Sequence, residues 1–171
     1  IKNSKEMMRY GLPLVPSSIG MFVIHFGDRF FLQRFSDLSQ VGLYSIAYKF
    51  GFMINLLIVL PFSLVWDAKM FEIEKQADAK QIYKRVFTYI IFLLVFSFTA
   101  MTILIKDAMS IVGDEKFFDA YKIVPFIACA YVLNGSCYML RIGLYLREKT
   151  EYIGILTAIT TCVTIVIYYI L

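Results

Sequence analysis

Ionisable side chains interrupt long apolar stretches of this chain, and these are the residues whose types could do chemistry: His25, Asp28, Arg29, Lys49 and Arg141. A charged group at the centre of a membrane helix costs about 2.5–3.5 kcal/mol, so each needs a partner or an aqueous cavity. Asp28 and Lys49 lie at similar distances before and after an expected turn near Leu38. An antiparallel helix pair would bring them to similar depth, so we predict that they form an ion pair or face each other across a cavity.

Two neighbours of Asp28 extend this candidate site. Arg29 lies about 100° around a helix from Asp28, which leaves its guanidinium available to an anion. His25 is three residues before Asp28 and four before Arg29, and so shares their helix face. It is either a proton relay or a hydrogen-bonded interior histidine, of which the second is the commoner role. The alternative for Asp28, Arg29 and Lys49 together is a structural ion-pair cluster near the outer membrane surface.

A stripe of polar side chains is the second candidate. It advances in steps of three or four residues, the spacing of one helix face, through Tyr131, Asn134, Tyr138, Arg141 and Tyr145. Such a face predicts contact with a bundle interior or a cavity rather than with lipid. We therefore predict that Asn134, Tyr138 and Arg141 contact a substrate. The alternative for Arg141 is a side chain that snorkels to the nearby membrane surface.

The stretches that carry these residues have the length of membrane spans. Of the 171 residues, 60% are hydrophobic and 18% are charged, and the mean hydropathy is +0.70. A soluble domain carries about a quarter charged residues. A hydrocarbon core of about 30 Å takes about 20 helical residues, and continuous rather than alternating apolar runs favour helices over barrel strands. The sequence predicts an all-α polytopic transmembrane helix bundle of about five helices. We expect a single transmembrane domain over 1–171 with spans near 10–34, 42–66, 86–106, 123–146 and 152–171.

Lysine and arginine residues indicate the orientation of these spans. The leader and the links between spans two and three and between spans four and five carry ten of them, against four in the opposite links. Because cytoplasmic loops carry the basic excess, the N-terminus is predicted to be cytoplasmic. In the link Asp67–Arg85, apolar residues recur at helical spacing among charges, which predicts an amphipathic helix on the cytoplasmic surface. The chain begins without Met and ends in an apolar run, so we expect a fragment of a longer membrane protein.

Motifs of soluble enzymes are absent from the sequence. It contains no GxGxxG, Walker, HExxH or GxSxG motif, and a single histidine argues against histidine-based metal sites. No basic run interleaved with exposed aromatics indicates a nucleic-acid surface. The chain is therefore predicted not to be an enzyme, with no catalytic residue, metal, cofactor or nucleic-acid partner. An intramembrane transferase, with Asp28 as base and with Arg29 and Lys49 holding a diphosphate, is the alternative.

Three segments resemble a known family. Arg9–Phe35 has the sequence RYGLPLVPSSIGMFVIHFGDRFFLQRF, Val41–Gly51 is VGLYSIAYKFG, and Gly113–Gly135 is GDEKFFDAYKIVPFIACAYVLNG. Together they resemble the Wzx-type polysaccharide flippases of the multidrug/oligosaccharidyl-lipid/polysaccharide exporter superfamily. The resemblance places the five spans as helices seven to eleven of about twelve, in the second lobe of a MATE/MurJ-like transporter.

This resemblance implies a protein of the bacterial inner membrane that flips an undecaprenyl-diphosphate-linked oligosaccharide, a lipopolysaccharide O-antigen or capsule repeat unit, by alternating access. It implies that Arg29, Lys49 and Arg141 line a cationic cavity and that Asp28 serves charge pairing or ion coupling. Implied partners are the lipid-linked oligosaccharide, membrane lipids, an N-terminal lobe of the same chain, and polysaccharide polymerase and glycosyltransferases. The alternatives are a multidrug or ion exporter of the superfamily, a membrane transferase or polymerase of surface polysaccharide, and a non-catalytic assembly subunit.

Overall fold

A computed structural model describes residues 14–112, 115–146 and 151–170, without the side chains of 14–19, 21, 23–26, 112, 115, 144–146 and 151–153. Every element in these ranges is helical, which confirms the predicted all-α fold class. In chain order the elements are α1 (Leu14–Phe35), α2 (Leu38–Ile54), a π-helical turn (Asn55–Val59), α3 (Leu60–Glu74), α4 (Ala79–Val112), a 3₁₀ helix (Glu115–Lys122), α5 (Val124–Leu146) and α6 (Glu151–Ile170).

Three helices in the described ranges are long and apolar enough to cross a membrane. One is the continuous helix of 37 residues formed by α2, the π turn and α3, and the others are Ala79–Ile111 and Val124–Gly143. The shorter Gly154–Ile170 is also apolar. Between 17% and 28% of the most apolar window in each long helix is buried, so most of these side chains face outward, as in lipid-exposed helices. The chain is a helical membrane protein, and its number of spans and its single domain over 1–171 stay predictions.

The helices form two units. Unit one, Ile1–Leu38 with Glu148–Leu171, contains α1 and α6, and unit two, Ser39–Arg147, contains the other elements. In unit one, Gly20 lies against Thr161, and further along both helices the rings of Phe31 and Tyr168 are 5.2 Å apart between centroids. The residue numbers rise together in these two contacts, so α1 and α6 run parallel. Parallel packing is the direction that the first and fifth of five consecutive spans would take.

In unit two, α5 packs closely on both other long helices. A Cβ built on Gly51 of α2 would lie 2.5 Å from Ile127 Cγ2, and one built on Gly135 of α5 would lie 2.9 Å from Val59 Cγ2 and 3.1 Å from Leu94 Cδ1 of α4. Helices in lipid associate through close van der Waals packing, which small residues at the interface allow. Glycine at these two positions therefore fixes how near α5 lies to its neighbours.

Pro61 accounts for the π-helical turn inside the long helix. Proline has no N–H to donate to the preceding turn, and in a helix interior it breaks or kinks the ladder. Just before it, the N–H of Leu60 donates to the carbonyl of Asn55, five residues back instead of four. Pro61 then lies in the first turn of α3, where a missing N–H costs least. The helix thus continues past the proline without a break.

The link Asp67–Arg85 does not form the separate amphipathic helix predicted from its sequence. Instead α3 continues to Glu74 and α4 begins at Ala79, with a short turn between them. At 1.5 Å per residue, the helix of 37 residues is about 55 Å long, against about 30 Å of hydrocarbon, so its end extends beyond the membrane core. Met70 is buried and Ile73 packs against the core, so these apolar residues belong to the helical hairpin itself.

We predict that Gly51→Ala lowers the free energy of unfolding by about 1–3 kcal/mol, the usual cost of overpacking a close contact. The new methyl group would lie 2.5 Å from Ile127 Cγ2, and the adjacent Ala128 nitrogen restricts the relief available to the helix pair. The measurement is chemical denaturation of the chain in detergent micelles, followed by the fluorescence of its single tryptophan, Trp66.

Gly143→Ala is the matched control, because within the described ranges no atom of another helix lies within 4 Å of a Cβ built on Gly143. Its stability should be unchanged or slightly raised, since alanine favours a helix over glycine. Equal stabilities for the two variants would contradict the close contact at Gly51.

Candidate functional site

The polar stripe of α5 begins in an aromatic cluster. Tyr131 is buried, and its ring meets those of Tyr48 and Phe52 on α2 edge to face, with centroids 5.8 Å and 5.5 Å away. Tyr44 extends the cluster along α2, at 6.2 Å from Tyr48. Edge-to-face pairs contribute about 0.5–1.5 kcal/mol each beyond the area they bury. Tyr131 therefore takes part in holding α5 against α2.

Tyr138, two turns further along α5, joins that helix to α3. Its hydroxyl donates a hydrogen bond to the carboxylate of Asp67. A hydrogen bond to an ionised acceptor is roughly twice as strong as one between neutral groups. The bond lies at the end of unit two that carries the basic residues of the α3–α4 hairpin, among them Lys69, Lys80 and Lys84. Asp67 and Tyr138 thus form a charged contact between two candidate spans.

Sequence reasoning missed Asp67 because it assigned this residue to a link outside the spans. A signal was present in the apolar residues around it. Phe62, Trp66 and Met70 follow one another at four-residue spacing, which is the repeat of one helix face. This repeat passes Asp67 without interruption, and Trp66 and Met70 are both buried. A helix carried through to Met70 would have kept Asp67 within the second span.

The other members of the stripe differ in their surroundings. Asn134 is exposed, Arg141 is half-buried, and the side chain of Tyr145 lies outside the described part of the chain. The stripe therefore combines a buried ring at Tyr131, an exposed amide at Asn134 and a charged contact at Tyr138. Substrate contact by Asn134, Tyr138 and Arg141 stays a prediction.

In unit one, α1 carries the Asp-Arg pair. Asp28 and Arg29 are both half-buried, and Asp28 Oδ1 accepts a hydrogen bond from the backbone N–H of Arg29, with 2.8 Å between nitrogen and oxygen. His25 lies in the same helix, but its side chain is outside the described residues, so its predicted role as relay or interior histidine stays open. A half-buried arginine that follows a half-buried aspartate in the same helix is a polar feature that a lipid-facing helix surface would not favour.

Lys49 lies exposed on α2 in unit two. Its neighbours Tyr48 and Phe52 pack against α5, so Lys49 occupies the flank of α2 beside that contact. Asp28 belongs to unit one and Lys49 to unit two, so their predicted pairing stays a prediction. The ammonium of Lys49 and the guanidinium of Arg29 both supply positive charge and hydrogen-bond donors, the chemistry that recognises phosphate oxygens. Among the described residues, no three His, Cys, Asp or Glu side chains are grouped as metal ligands.

Residues 1–66 match a family model whose description is "Polysaccharide biosynthesis protein". The matched region contains α1, α2, the π turn and the first part of α3, and with them Asp28, Arg29 and Lys49. No curated protein and no solved structure matched the chain. The similarity connects the N-terminal part of the chain with polysaccharide biosynthesis, and the apolar helices make it a membrane protein.

We predict that Asp67 and Tyr138 are coupled by about 1.5–3 kcal/mol, the net contribution of a hydrogen bond to a charged group. The measurement is a double-mutant cycle of Asp67→Ala and Tyr138→Phe, with the free energy of unfolding determined in detergent micelles. Each single variant should be less stable than the unmodified chain. The double variant should be less destabilised than the sum of the two single variants, because the same hydrogen bond is lost in both.

Tyr89→Phe is the matched control for the lost hydroxyl, because Tyr89 is exposed on α4 and has no hydrogen bond among the described residues. It should leave stability unchanged in the presence and in the absence of Asp67. Strict additivity of Asp67→Ala and Tyr138→Phe would contradict the contact.

Proposed function

We propose that this chain forms one lobe of a flippase that moves an undecaprenyl-diphosphate-linked oligosaccharide across the bacterial inner membrane. The observation that carries the proposal is the similarity of residues 1–66 to polysaccharide biosynthesis proteins, over the segment in which Asp28, Arg29 and Lys49 interrupt apolar helices. A flippase moves its substrate without making or breaking bonds, so the proposal includes no catalytic residue and no cofactor.

The diphosphate of the proposed substrate gives a reason for basic residues within the apolar helices. A charge within a membrane helix costs about 2.5–3.5 kcal/mol on insertion scales, and contact with an anion offsets that cost. Arg29, half-buried in α1, offers a planar fork of donors that matches phosphate oxygens, and the exposed Lys49 on α2 offers a mobile point charge. Under this proposal Arg141 adds a third cation, and Asp28 balances charge or couples transport to an ion gradient.

The helix surfaces suit a lobe that works with another lobe. Most side chains in the apolar windows of the three long helices face outward, which leaves wide surfaces for lipid and for partner helices. We propose that an N-terminal lobe of the same chain covers one of these surfaces and that the two lobes alternate access to the cations between them. The proposal takes the N-terminus of these 171 residues to be cytoplasmic, as the basic excess predicts. Glycosyltransferases would then supply the substrate and a polymerase would consume the product.

The proposal is tested by complementation in the source bacterium, with its own copy of the gene deleted and the full-length gene returned. Arg29→Ala and Lys49→Ala should each reduce surface polysaccharide about tenfold or more. The reason is that a charge-assisted hydrogen bond contributes about 1.5–3 kcal/mol, and 1.4 kcal/mol corresponds to a factor of ten. Export is measured by immunoblot of surface polysaccharide, and protein abundance by blotting of the membrane fraction.

Matched controls remove a similar charge at an exposed helix position. Arg34→Ala lies at the end of the same helix as Arg29, and Lys69→Ala lies on α3, which continues the helix of Lys49. Both should support normal export. Normal export by Arg29→Ala and Lys49→Ala would leave those charges structural. Normal surface polysaccharide in the deletion strain itself would overturn the flippase assignment and favour an exporter of another substrate.

A further inference from the structure

A cavity of about 330 Å³ lies between α4 and α5 in unit two. The residues that line it are Tyr83, Lys84, Phe87, Met139, Ile142 and Gly143. It lies outside the region matched by the polysaccharide biosynthesis family and contains none of the cations assigned above to the diphosphate. Its lining is mainly apolar, and Lys84 and Tyr83 are the lining residues that have polar side-chain groups.

The cavity is open on one side and has a buried floor on the other. Gly143 is exposed, and in the part of the chain that the structure describes no atom of another helix lies within 4 Å of a Cβ built on it, so this position borders open space. Met139 and Ile142 on the same helix are buried at 5% and 7% exposure. A flexible apolar chain can therefore enter at Gly143 and contact the side chains beneath it.

The opposite wall is held in place by a hydrogen bond. The hydroxyl of Tyr83 donates to the carbonyl of Met70 on α3, with 2.5 Å between the oxygens, and the Tyr83 ring packs edge to face on Trp66 at 5.7 Å between centroids. With its hydroxyl engaged in this way, Tyr83 presents mainly its ring as a wall. The α3–α4 hairpin thus fixes this wall of the cavity.

Lys84 supplies a positive charge at this apolar cavity. It is exposed, and no carboxylate in the described part of the chain forms an ion pair with it. Basic pockets between membrane helices attract anionic lipid headgroups, and each buried methylene of an acyl chain adds about 0.8 kcal/mol.

We propose that this cavity binds one anionic phospholipid. Lys84 contacts the phosphate of the headgroup, while Phe87, Met139 and Ile142 contact the upper part of an acyl chain that enters past Gly143. The bound lipid fills the space between α4 and α5 and braces the two helices at the basic end of unit two. This inference does not depend on the flippase proposal, because it uses different residues and a different ligand.

The single tryptophan is a reporter already in place for this lipid. Trp66 is buried at 5% exposure and packs on Tyr83, which is a wall of the cavity. Bromine atoms on an acyl chain quench indole fluorescence at short range. A brominated lipid in the cavity therefore quenches Trp66 more strongly than one in the surrounding bilayer, from which Trp66 is shielded.

The experiment reconstitutes the chain in phosphatidylcholine vesicles and measures Trp66 fluorescence as brominated phosphatidylglycerol replaces the unlabelled lipid. A parallel titration uses brominated phosphatidylcholine. Half-maximal quenching should need about fivefold less phosphatidylglycerol than phosphatidylcholine, the preference that one basic residue gives near an anionic lipid. Inorganic phosphate should not relieve the quenching, and relief by phosphate would show a site for a free anion instead.

Three variants locate the binding. Lys84→Gln should abolish the preference, so that the two titrations coincide. Gly143→Phe should reduce quenching by both lipids because its ring fills the entrance. Lys80→Gln, the matched control one turn away and outside the cavity lining, should keep the preference. Circular dichroism checks that each variant is folded, and Lys84→Gln at an exposed position keeps the test decisive if Gly143→Phe does not fold.

Three results would overturn the proposal. The first is equal quenching of the unmodified chain by the two lipids. The second is an equal loss of preference in Lys80→Gln and Lys84→Gln, which would assign the effect to the general surface potential. The third is unchanged quenching in a folded Gly143→Phe variant, which would place the lipid elsewhere.

Discussion

The close approach of α5 to α2 and α4 is the contact on which the rest of unit two depends. In lipid, no hydrophobic force draws helices together, so the distance at which backbones can pack decides whether they associate. Gly51 and Gly135 set that distance, with Ile127 and Val59 filling the space that a side chain would occupy. Tyr131 and Tyr138 lie four residues before and three after Gly135, on the same face of α5. The aromatic cluster and the bond to Asp67 therefore follow from the same close packing.

A second constraint is length. The continuous helix that ends in α3 and the helix α4 are both longer than a hydrocarbon core is thick. The excess forms a helical hairpin whose inner face is apolar, with Trp66, Met70 and Tyr83 in contact, and whose outer face is charged. Charge is inexpensive at this level, since side chains there reach water or headgroups. Asp67 and Lys84 thus lie exposed beside an apolar interior. The same hairpin supplies one wall of the cavity, so membrane thickness and cavity position are linked.

The helical class was predictable from the continuous apolar runs, which indicate segments that lie in lipid. Lipid offers no hydrogen-bond partners, so the backbone of such a segment must pair within itself, as a helix does. The prediction was wrong over Asp67–Arg85, because hydropathy falls at the membrane surface while helical geometry continues past it. Asp67 was missed for that reason. The cavity at Gly143 could not be predicted from the sequence. It exists because the side chains of α4 and α5 do not fill the space between the two helices. Periodicity shows which residues share a face, and it does not show the gap left across an interface.

The cations of this chain differ in ways that suit different anions. Arg29 is half-buried in a helix and follows Asp28 in sequence, and its guanidinium is a rigid fork of donors. Lys84 is exposed at the mouth of an apolar cavity, where a flexible stem can follow a headgroup that moves with the bilayer. Under the flippase proposal, the neighbouring Asp28 would limit how tightly an anion binds at Arg29 and so would favour release of the substrate. A structural lipid between two helices does not have to be released. In agreement with this, Lys84 forms no ion pair with a carboxylate among the described residues.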